Sequence, residues 1–550
     1  MKRKLSAASE GESIHNSEQE EEMKNKQKKT TTASSSPQKR TPEEEKAHQE
    51  YLEKLNIIDH LNPDYSSPEG VQKCKQAFKE NKPFPHLHLK NFFNDVEFMK
   101  DVKQETFSLK YWEKDNDLYH FLQTKDLQKN AIVEQNEHIR KLRDVLYSPS
   151  FREWLEDVCS LKERGIVLNP TIDMFVSCYR DTHHLLCHDD ELEKRRIAYI
   201  IYLVPEDWTE ADGGHLDLYN CDPNQMDQPV SIGASILPSF NSISFFEVST
   251  VSYHRVREVL RSVDLEDDRI AITGWLYSDT LVERPDYTIE DIAPLKYDAP
   301  TKVADLDSKP AHMDLGYWFS EPYLQQNIRE AINKQFCEES SIELRKFLNE
   351  EKFNKLYEEI KTLQNDQHFE LTIPANRRHF LRLKKDNLDN NSLLAKFYEF
   401  VSSEIFTSYI SEVTSLPIKN INLQARKFRN GDYALVQNTP TNEVRLDVLI
   451  RLCPDNWDFE YGGGVTYMDE EEELLAILPE PNTISIVLRD EGVQTFVKFL
   501  THHAPGDVYD FLLTCETEIP AASEGDEGSW EDADDDGEGE EEGEAEEENE

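Results

Sequence analysis

The sequence predicts a mainly β protein with flanking helices (an α+β chain), built as two copies of one sandwich or jelly-roll fold in tandem. Three observations carry that expectation. Between Thr171 and Tyr277, short segments rich in β-branched and aromatic residues (IDMFVSCY, RIAYIIYLV, GGHLDLY, NSISFFEV, RIAITGWLY) are separated by the turn signals Asp212-Gly213-Gly214, Asp222-Pro223-Asn224 and Leu237-Pro238-Ser239, the pattern of many short strands. Segments of the same kind return between Asn422 and Cys515 as LQARKF, YALVQN, RLDVLIRLC, GGGVTYM, TISIVLR and YDFLLTC. The second set echoes the first in order and spacing. Tyr179-Arg180-Asp181 running to His188 parallels Phe428-Arg429-Asn430 running to Gln437, IAYIIYLVPEDW parallels LDVLIRLCPDNW, and Asp212-Gly213-Gly214 parallels Tyr461-Gly462-Gly463.

In chain order, residues 1–48 are Ser, Thr, Lys and Glu with few large apolar side chains, so a disordered tail is expected. Its basic clusters (Lys2-Arg3-Lys4, Lys24 to Lys29, Lys39-Arg40) fit either a nuclear import signal or a solvated tail. Residues 49–280 form the first expected domain, helical to about 165. Ser67-Pro68-Glu69 opens a helix through Phe78, and Pro85 to Leu89 alternates as a strand does. Asn94 caps a helix that places Phe98, Met99 and Val102 on one face. Ile139, Leu142, Val145 and Leu146 mark another helix, and Trp154, Leu155 and Val158 a third. Residues 281–322 hold several prolines and little periodicity and read as a linker. Residues 323–517 form the second domain, with helical patterns at Leu324–Leu348 and Phe353–Leu363 before its strands. Residues 518–550 are acidic low complexity and are expected to be disordered.

The formal charge is −48, and the stretch from Glu524 to Glu550 carries 17 Asp or Glu with no Lys or Arg. Acidic bulk of this kind repels phosphate, which argues against duplex or membrane-surface binding and favours a basic protein partner. The eight cysteines include no CxxC pair, so neither a zinc ribbon nor a dithiol redox site is indicated. No apolar leader is visible, and the longest apolar run, Ile197 to Pro205, is too short to span a bilayer. A soluble, intracellular, disulfide-free protein is the expectation.

The chemistry centres on Leu185 to Val204, where His188 and Asp190 precede the most apolar run in the chain. Two imidazoles and one carboxylate suit ferrous iron and leave open coordination positions. His-x-Asp at a strand end places both side chains on one face, and His254 lies far enough downstream for several antiparallel strands to return the chain to the same point. Cys187 and Asp189 would then point away, Cys187 into packing. His215-x-Asp217 and His312-x-Asp314 have the same local pattern but poorer context. Arg269 opens the apolar segment RIAITGW. A buried guanidinium needs an anion, either the distal carboxylate of 2-oxoglutarate or an acidic side chain of the chain itself. Tyr202 has two readings as well, a hydroxyl donor to that carboxylate or ordinary aromatic core. In the second copy Gln437 and Thr439 stand where His188 and Asp190 stand in the first, and no Arg matches Arg269, so only the first copy is expected to react.

The runs CHDDELEKRRIAYIIYLVP, GGHLDLY, FFEVSTVSYHRV and RIAITGW, with PHLHLKNFF, NDLYHFLQTKDL and YGGGVTYM, resemble the iron- and 2-oxoglutarate-dependent ribosomal prolyl hydroxylases over roughly residues 50 to 515. The resemblance implies two double-stranded β-helix (jelly-roll) domains, the first catalytic and the second without metal. Carried onto this sequence, it places the iron ligands on His188, Asp190 and His254, and the 2-oxoglutarate ligands on Arg269 and Tyr202. It implies Fe(II), 2-oxoglutarate, O2 and ascorbate as reductant, and a small-subunit ribosomal protein as substrate, hydroxylated at C3 of a decoding-centre proline with effects on translation fidelity and termination. Nucleus and cytoplasm are the implied compartments. Two features depart from the family: Ala271 stands where an Arg-x-Ser pattern would put Ser, and the acidic segment is C-terminal. The competing readings are another 2-oxoglutarate oxygenase, such as an N-demethylase, and a non-enzymatic scaffold in a translation or messenger-RNA complex.

Overall fold

The computed structural model describes residues 41–129, 133–192, 194–261, 267–282, 296–303, 309–436, 443–469 and 472–518. The basic clusters before residue 40, the acidic tail beyond 518, most of the Pro-rich stretch after 282, and Gln437 and Thr439 lie outside them.

The first half contributes β1 (His86–Leu89), β2 (Trp112–Asp115), β3 (Tyr119–Gln123), β4 (Leu168–Ile172), β5 (Phe175–Tyr179) and β6 (His184–His188). It continues with β7 (Arg195–Tyr202), β8 (Leu216–Asp222), β9 (Gln228–Ile236), β10 (Ser242–Glu247), β11 (His254–Val256) and β12 (Arg269–Ser278). Their order in the sheet is β1-β10-β7-β12-β5-β3-β6-β11-β8-β9, with β2 on β3 and β4 on β12. The second half supplies β13 (Ser341–Arg345), β14 (Phe369–Leu371), β15 (Arg378–His379), β16 (Leu381–Leu383), β17 (Ile418–Phe428) and β18 (Tyr433–Ala434). Then follow β19 (Arg445–Leu452), β20 (Val465–Met468), β21 (Glu473–Ile477), β22 (Thr483–Arg489), β23 (Gln494–Val497) and β24 (Val508–Thr517).

These form two sheets, β13-β22-β19-β24-β17-β16-β14 and β15-β18-β23-β20-β21. The repeat is visible in the topology. The path β1-β10-β7-β12-β5 is matched by β13-β22-β19-β24-β17, and β6-β11-β8-β9 by β18-β23-β20-β21. Each half is an antiparallel jelly roll.

Period-two alternation explains why the apolar runs are almost unbroken. In β7, Ile197, Tyr199 and Ile201, with Leu203 just past its end, join the large core shared with the helices, whereas Ala198 and Ile200 face the barrel interior beside Leu216, Leu218, Phe246 and Trp275. Both faces are covered, so both are apolar. The supporting helices Pro68–Glu80, Val96–Thr106, Glu137–Tyr147 and Pro149–Val158 press Phe78, Met99, Leu142 and Leu155 onto the outer face. Ser67 caps the first of them, its hydroxyl accepting from the Gly70 amide at 3.1 Å.

Several local expectations are corrected. A helix over Pro42–Leu52 begins inside the stretch read as tail, because Thr41 and Glu44 close a capping box. Asp95, not Asn94, caps Val96–Thr106, while Asn94 donates to the Asp59 carbonyl. The helical pattern over Leu324–Leu348 is a helix only over Gln326–Glu339 and then turns into β13. Met313, Trp318 and Phe319, inside the expected linker, are buried in the second half's core. Sparse aromatic anchors hold that segment without any periodic face.

Candidate active site

β6 ends on His188 and β11 starts on His254, and the two are direct partners across the antiparallel ladder. Asp190 is not on the strand. It sits two residues past the end with φ of 60°, a left-handed conformation that aspartate tolerates better than most residues. That turn, rather than strand alternation, swings the carboxylate between the rings. Oδ1 lies 3.4 Å from His188 Nε2 and Oδ2 3.4 Å from His254 Nε2. The ligand atoms of all three lie within 4.8 Å of one another.

Each imidazole is aimed through its other nitrogen. His188 Nδ1 donates to the Leu186 carbonyl at 2.7 Å and His254 Nδ1 to the Ser252 carbonyl at 2.9 Å. A carbonyl only accepts, so the proton sits on Nδ1 and each Nε2 presents a lone pair. The Ser252 hydroxyl, which reaches the Asp189 carbonyl at 3.1 Å, ties the two ligand-bearing turns together. Burial by itself would push the Asp190 carboxyl up and His188 down. The mutual attraction wins, holding Asp190 well below the usual carboxylate range and raising His188. The site demands positive charge between these groups, which a divalent cation satisfies without protons.

Sequence reading missed Trp275. Its Nε1 donates to Asp190 Oδ2 at 3.0 Å. The available signal was alternation: Trp275 lies six residues after Arg269 on the same strand and therefore on the same face. Arg195 stacks on its far side, with Cζ 3.7 Å from the ring centroid.

Arg269 is 1% exposed. Its Nε donates to the Gly214 carbonyl at 2.7 Å, its Cζ lies 5.0 Å from the Tyr179 ring and 5.3 Å from the Tyr202 ring, and its Nη2 is buried without a hydrogen-bond partner. No carboxylate among the described residues pairs with it. Burial depresses its pKa, against the pull of the two tyrosines. The Tyr202 hydroxyl is likewise buried with no well-formed hydrogen bond, Ser244 being its polar neighbour. Tyr179 feels the charges of both Arg269 and Asp190, so the guanidinium and the triad both lie in that ring's neighbourhood. Gly214 makes the arrangement fit: a Cβ there would lie 2.6 Å from Arg269 Cδ, at a φ of +65°.

The two decoy motifs are otherwise engaged. His215 contacts Glu210 at 2.7 Å, while Asp217 is held by Arg255, Arg257 and Ser235. His312 contacts Glu399, and Asp314 caps the next helix. Cys187 packs with Tyr219, Tyr253 and Ala375. In the second half the matching interior is filled by its own charges. Thr495 holds the register position of His254 and Val508 that of Arg269. Arg426 pairs with Asp510 at 2.7 and 2.8 Å, and Arg489 with Asp447 at 3.1 Å, leaving a cavity of about 70 Å³.

Comparison with known proteins agrees with this geometry. Residues 174–277 match the family described as 2OG-Fe(II) oxygenase superfamily, and residues 311–524 match that described as oxoglutarate and iron-dependent oxygenase degradation C-term. The chain is 31% identical to prolyl 3-hydroxylase OGFOD1 of Xenopus laevis over 504 residues, 83% of this chain and 92% of that protein. It is 32% identical to the Mus musculus protein of the same name, covering 77% and 85% respectively. Against prolyl 3-hydroxylase sudestada1 of Drosophila melanogaster identity is 25%, covering 83% and 90%.

Proposed function

The chain belongs to the prolyl 3-hydroxylase family of iron- and 2-oxoglutarate-dependent oxygenases, and from that premise we propose that His188, Asp190 and His254 hold its ferrous iron while Arg269 and Tyr202 hold the distal carboxylate of 2-oxoglutarate. The chain is a 2-oxoglutarate-dependent prolyl hydroxylase. The observation that carries the residue assignment is the buried, unpaired guanidinium beside an imidazole–carboxylate–imidazole cluster. An isolated buried cation is costly, and a keto diacid would supply the missing carboxylate for Arg269 while its keto-acid end would be free for the metal.

With O2, the bound iron and co-substrate supply the oxidising power that replaces a C–H hydrogen of proline by hydroxyl, with succinate and carbon dioxide as co-products. The protein's own part is orientation. The backbone carbonyls of Leu186 and Ser252 fix both imidazoles, Trp275 fixes one carboxylate oxygen, and the interior of Ala198, Leu218 and Phe246 excludes water. Trp275→Phe keeps the ring that Arg195 covers but removes the donor. Iron affinity is expected to fall about 10–100-fold, read by competition with a metallochromic chelator. Gly214→Ala crowds Arg269 and is expected to raise the 2-oxoglutarate half-saturation concentration while leaving iron affinity within about twofold. Equal damage to both constants would sink that division of labour.

For the substrate we infer a proline of a small-subunit ribosomal protein at the decoding centre, with consequences for translation fidelity and termination. Ascorbate acts as the reductant that keeps the iron ferrous. Nuclear as well as cytoplasmic residence is part of the same reading. The strong negative charge supports it, since ribosomal proteins are basic and would be drawn to an acidic enzyme. The test is incubation with iron, 2-oxoglutarate, ascorbate and the purified ribosomal protein, followed by peptide mass measurement. A gain of one oxygen on a proline peptide is expected. Formaldehyde release with no such gain would favour demethylation instead.

A further inference from the structure

We propose that Asp181, His502 and His503 form a second metal site, taking a zinc-class divalent cation, that pins the second half of the chain to the catalytic half. The three residues come from distant places. Asp181 lies in the turn between β5 and β6, and the histidines lie in the loop between β23 and β24. Their ligand atoms nevertheless lie within 4.8 Å of one another. His503 Nε2 is 2.6 Å from Asp181 Oδ2, and His502 Nε2 is 3.3 Å from Asp181 Oδ1.

The contacts around His502 and Asp181 point to what belongs between them. His502 is anchored through its far side, its backbone amide donating to Glu258 Oε1 at 2.9 Å and its Nδ1 meeting the same oxygen at 3.1 Å. These two contacts fix the ring so that its Nε2 faces Asp181 Oδ1. That oxygen is buried and makes no hydrogen bond of its own. A divalent cation bound by both Nε2 and this oxygen would satisfy it. A carboxylate behind a histidine whose other nitrogen faces a metal is the usual outer support of zinc sites. Two imidazoles and one carboxylate suit zinc and leave a fourth position to water.

The placement gives such a cation a task. Other contacts already cross the same seam: Lys498 to Asp115 at 2.8 Å, the Val436 amide to Asp117 at 3.0 Å, and His184 stacked on Phe499 at 3.9 Å. Asp181 precedes β6, whose last residue is His188, and Glu258 follows β11, whose first residue is His254. A metal at Asp181 therefore grips the far ends of the two strands that carry the catalytic imidazoles. His503 is half exposed, so the site is open to a metal from solution.

The experiment uses the full chain carrying His188→Ala and His254→Ala, which removes the catalytic cluster from the count. After chelator stripping and dialysis against zinc at pH 7.5, elemental analysis is expected to find one zinc per chain, and zinc is expected to raise the thermal midpoint. Adding His503→Ala, at a half-exposed position, is expected to abolish both, with an unchanged circular dichroism spectrum. Glu258→Gln is expected to weaken binding about 10–100-fold. Cobalt in place of zinc should give the intense visible bands of a four-coordinate centre. A count of zero before His503 is replaced would mean a clamp closed by protons alone, and would overturn the proposal. So would a count that His503→Ala leaves at one.

Discussion

Replacing His188 with alanine is expected to cut succinate formation coupled to peptide hydroxylation to below about one hundredth of the wild-type rate. Loss of an outer support alone costs a metal site about 10–100-fold, and His188 is proposed as one of three direct ligands. The same substitution leaves the Asp190 carboxylate with one imidazole partner instead of two, so the charge balance of the cluster fails along with its geometry. Asp190→Ala should be at least as damaging, because it removes the charge that both imidazoles share and leaves the Trp275 N–H without its acceptor. Neither change should unfold the chain. His188 is only partly buried at a strand end, and the large core lies on the other face of the sheet. The check is a single-turnover assay with iron titrated to saturation, beside a thermal midpoint. Wild-type turnover in either variant would remove these residues from the metal.

Much of this arrangement was legible in the sequence, for identifiable reasons. The β segments announced themselves by composition, and the repeat by the matched spacing of IAYIIYLVPEDW and LDVLIRLCPDNW. What stayed hidden depends on distance. The helices Leu393–Val401 and Glu404–Thr414 were missed although Ser392 and Ser403 cap them, because their β-branched and aromatic content reads equally as strand. Asp190 was placed by alternation, yet its position depends on one left-handed residue that no periodic rule contains. The meeting of Asp181 with His502 and His503 follows from how two jelly rolls dock, which neither roll's pattern encodes. Arg451 is a similar case. It takes the register position of Tyr202 in the second copy, opposite Asp510 as Tyr202 is opposite Ala271, and its guanidinium leans on the Gly463 carbonyl much as Arg269 leans on that of Gly214. The second copy thus has a buried arginine near the glycine turn, with Asp510 opposite it held by Arg426.

Arg269→Met is expected to separate ligand binding from stability in opposite directions. A buried guanidinium with an unpartnered Nη2 is a standing cost in the ligand-free chain. A methionine fills similar volume without charge, and replacing a buried ionic group with apolar side chains is often neutral or stabilising by about 1–4 kcal/mol. Against that stands the lost hydrogen bond to the Gly214 carbonyl, worth about 1 kcal/mol. The ligand-free variant should therefore melt at or above the wild-type temperature. Its response to 2-oxoglutarate should be nearly gone. Removing one partner of a buried charge pair costs about 2–5 kcal/mol, or roughly 30-fold and upward in the half-saturation concentration. Arg269→Lys should recover only part of it, since one ammonium cannot match the two parallel donors of the guanidinium fork. A thermal melt with and without 2-oxoglutarate, using a redox-inert divalent metal in the site, reads both quantities in one experiment. A methionine variant that still gains full stability from 2-oxoglutarate would show that the distal carboxylate is held elsewhere. One that is strongly destabilised without ligand would show that Arg269 already has an internal role offsetting its burial.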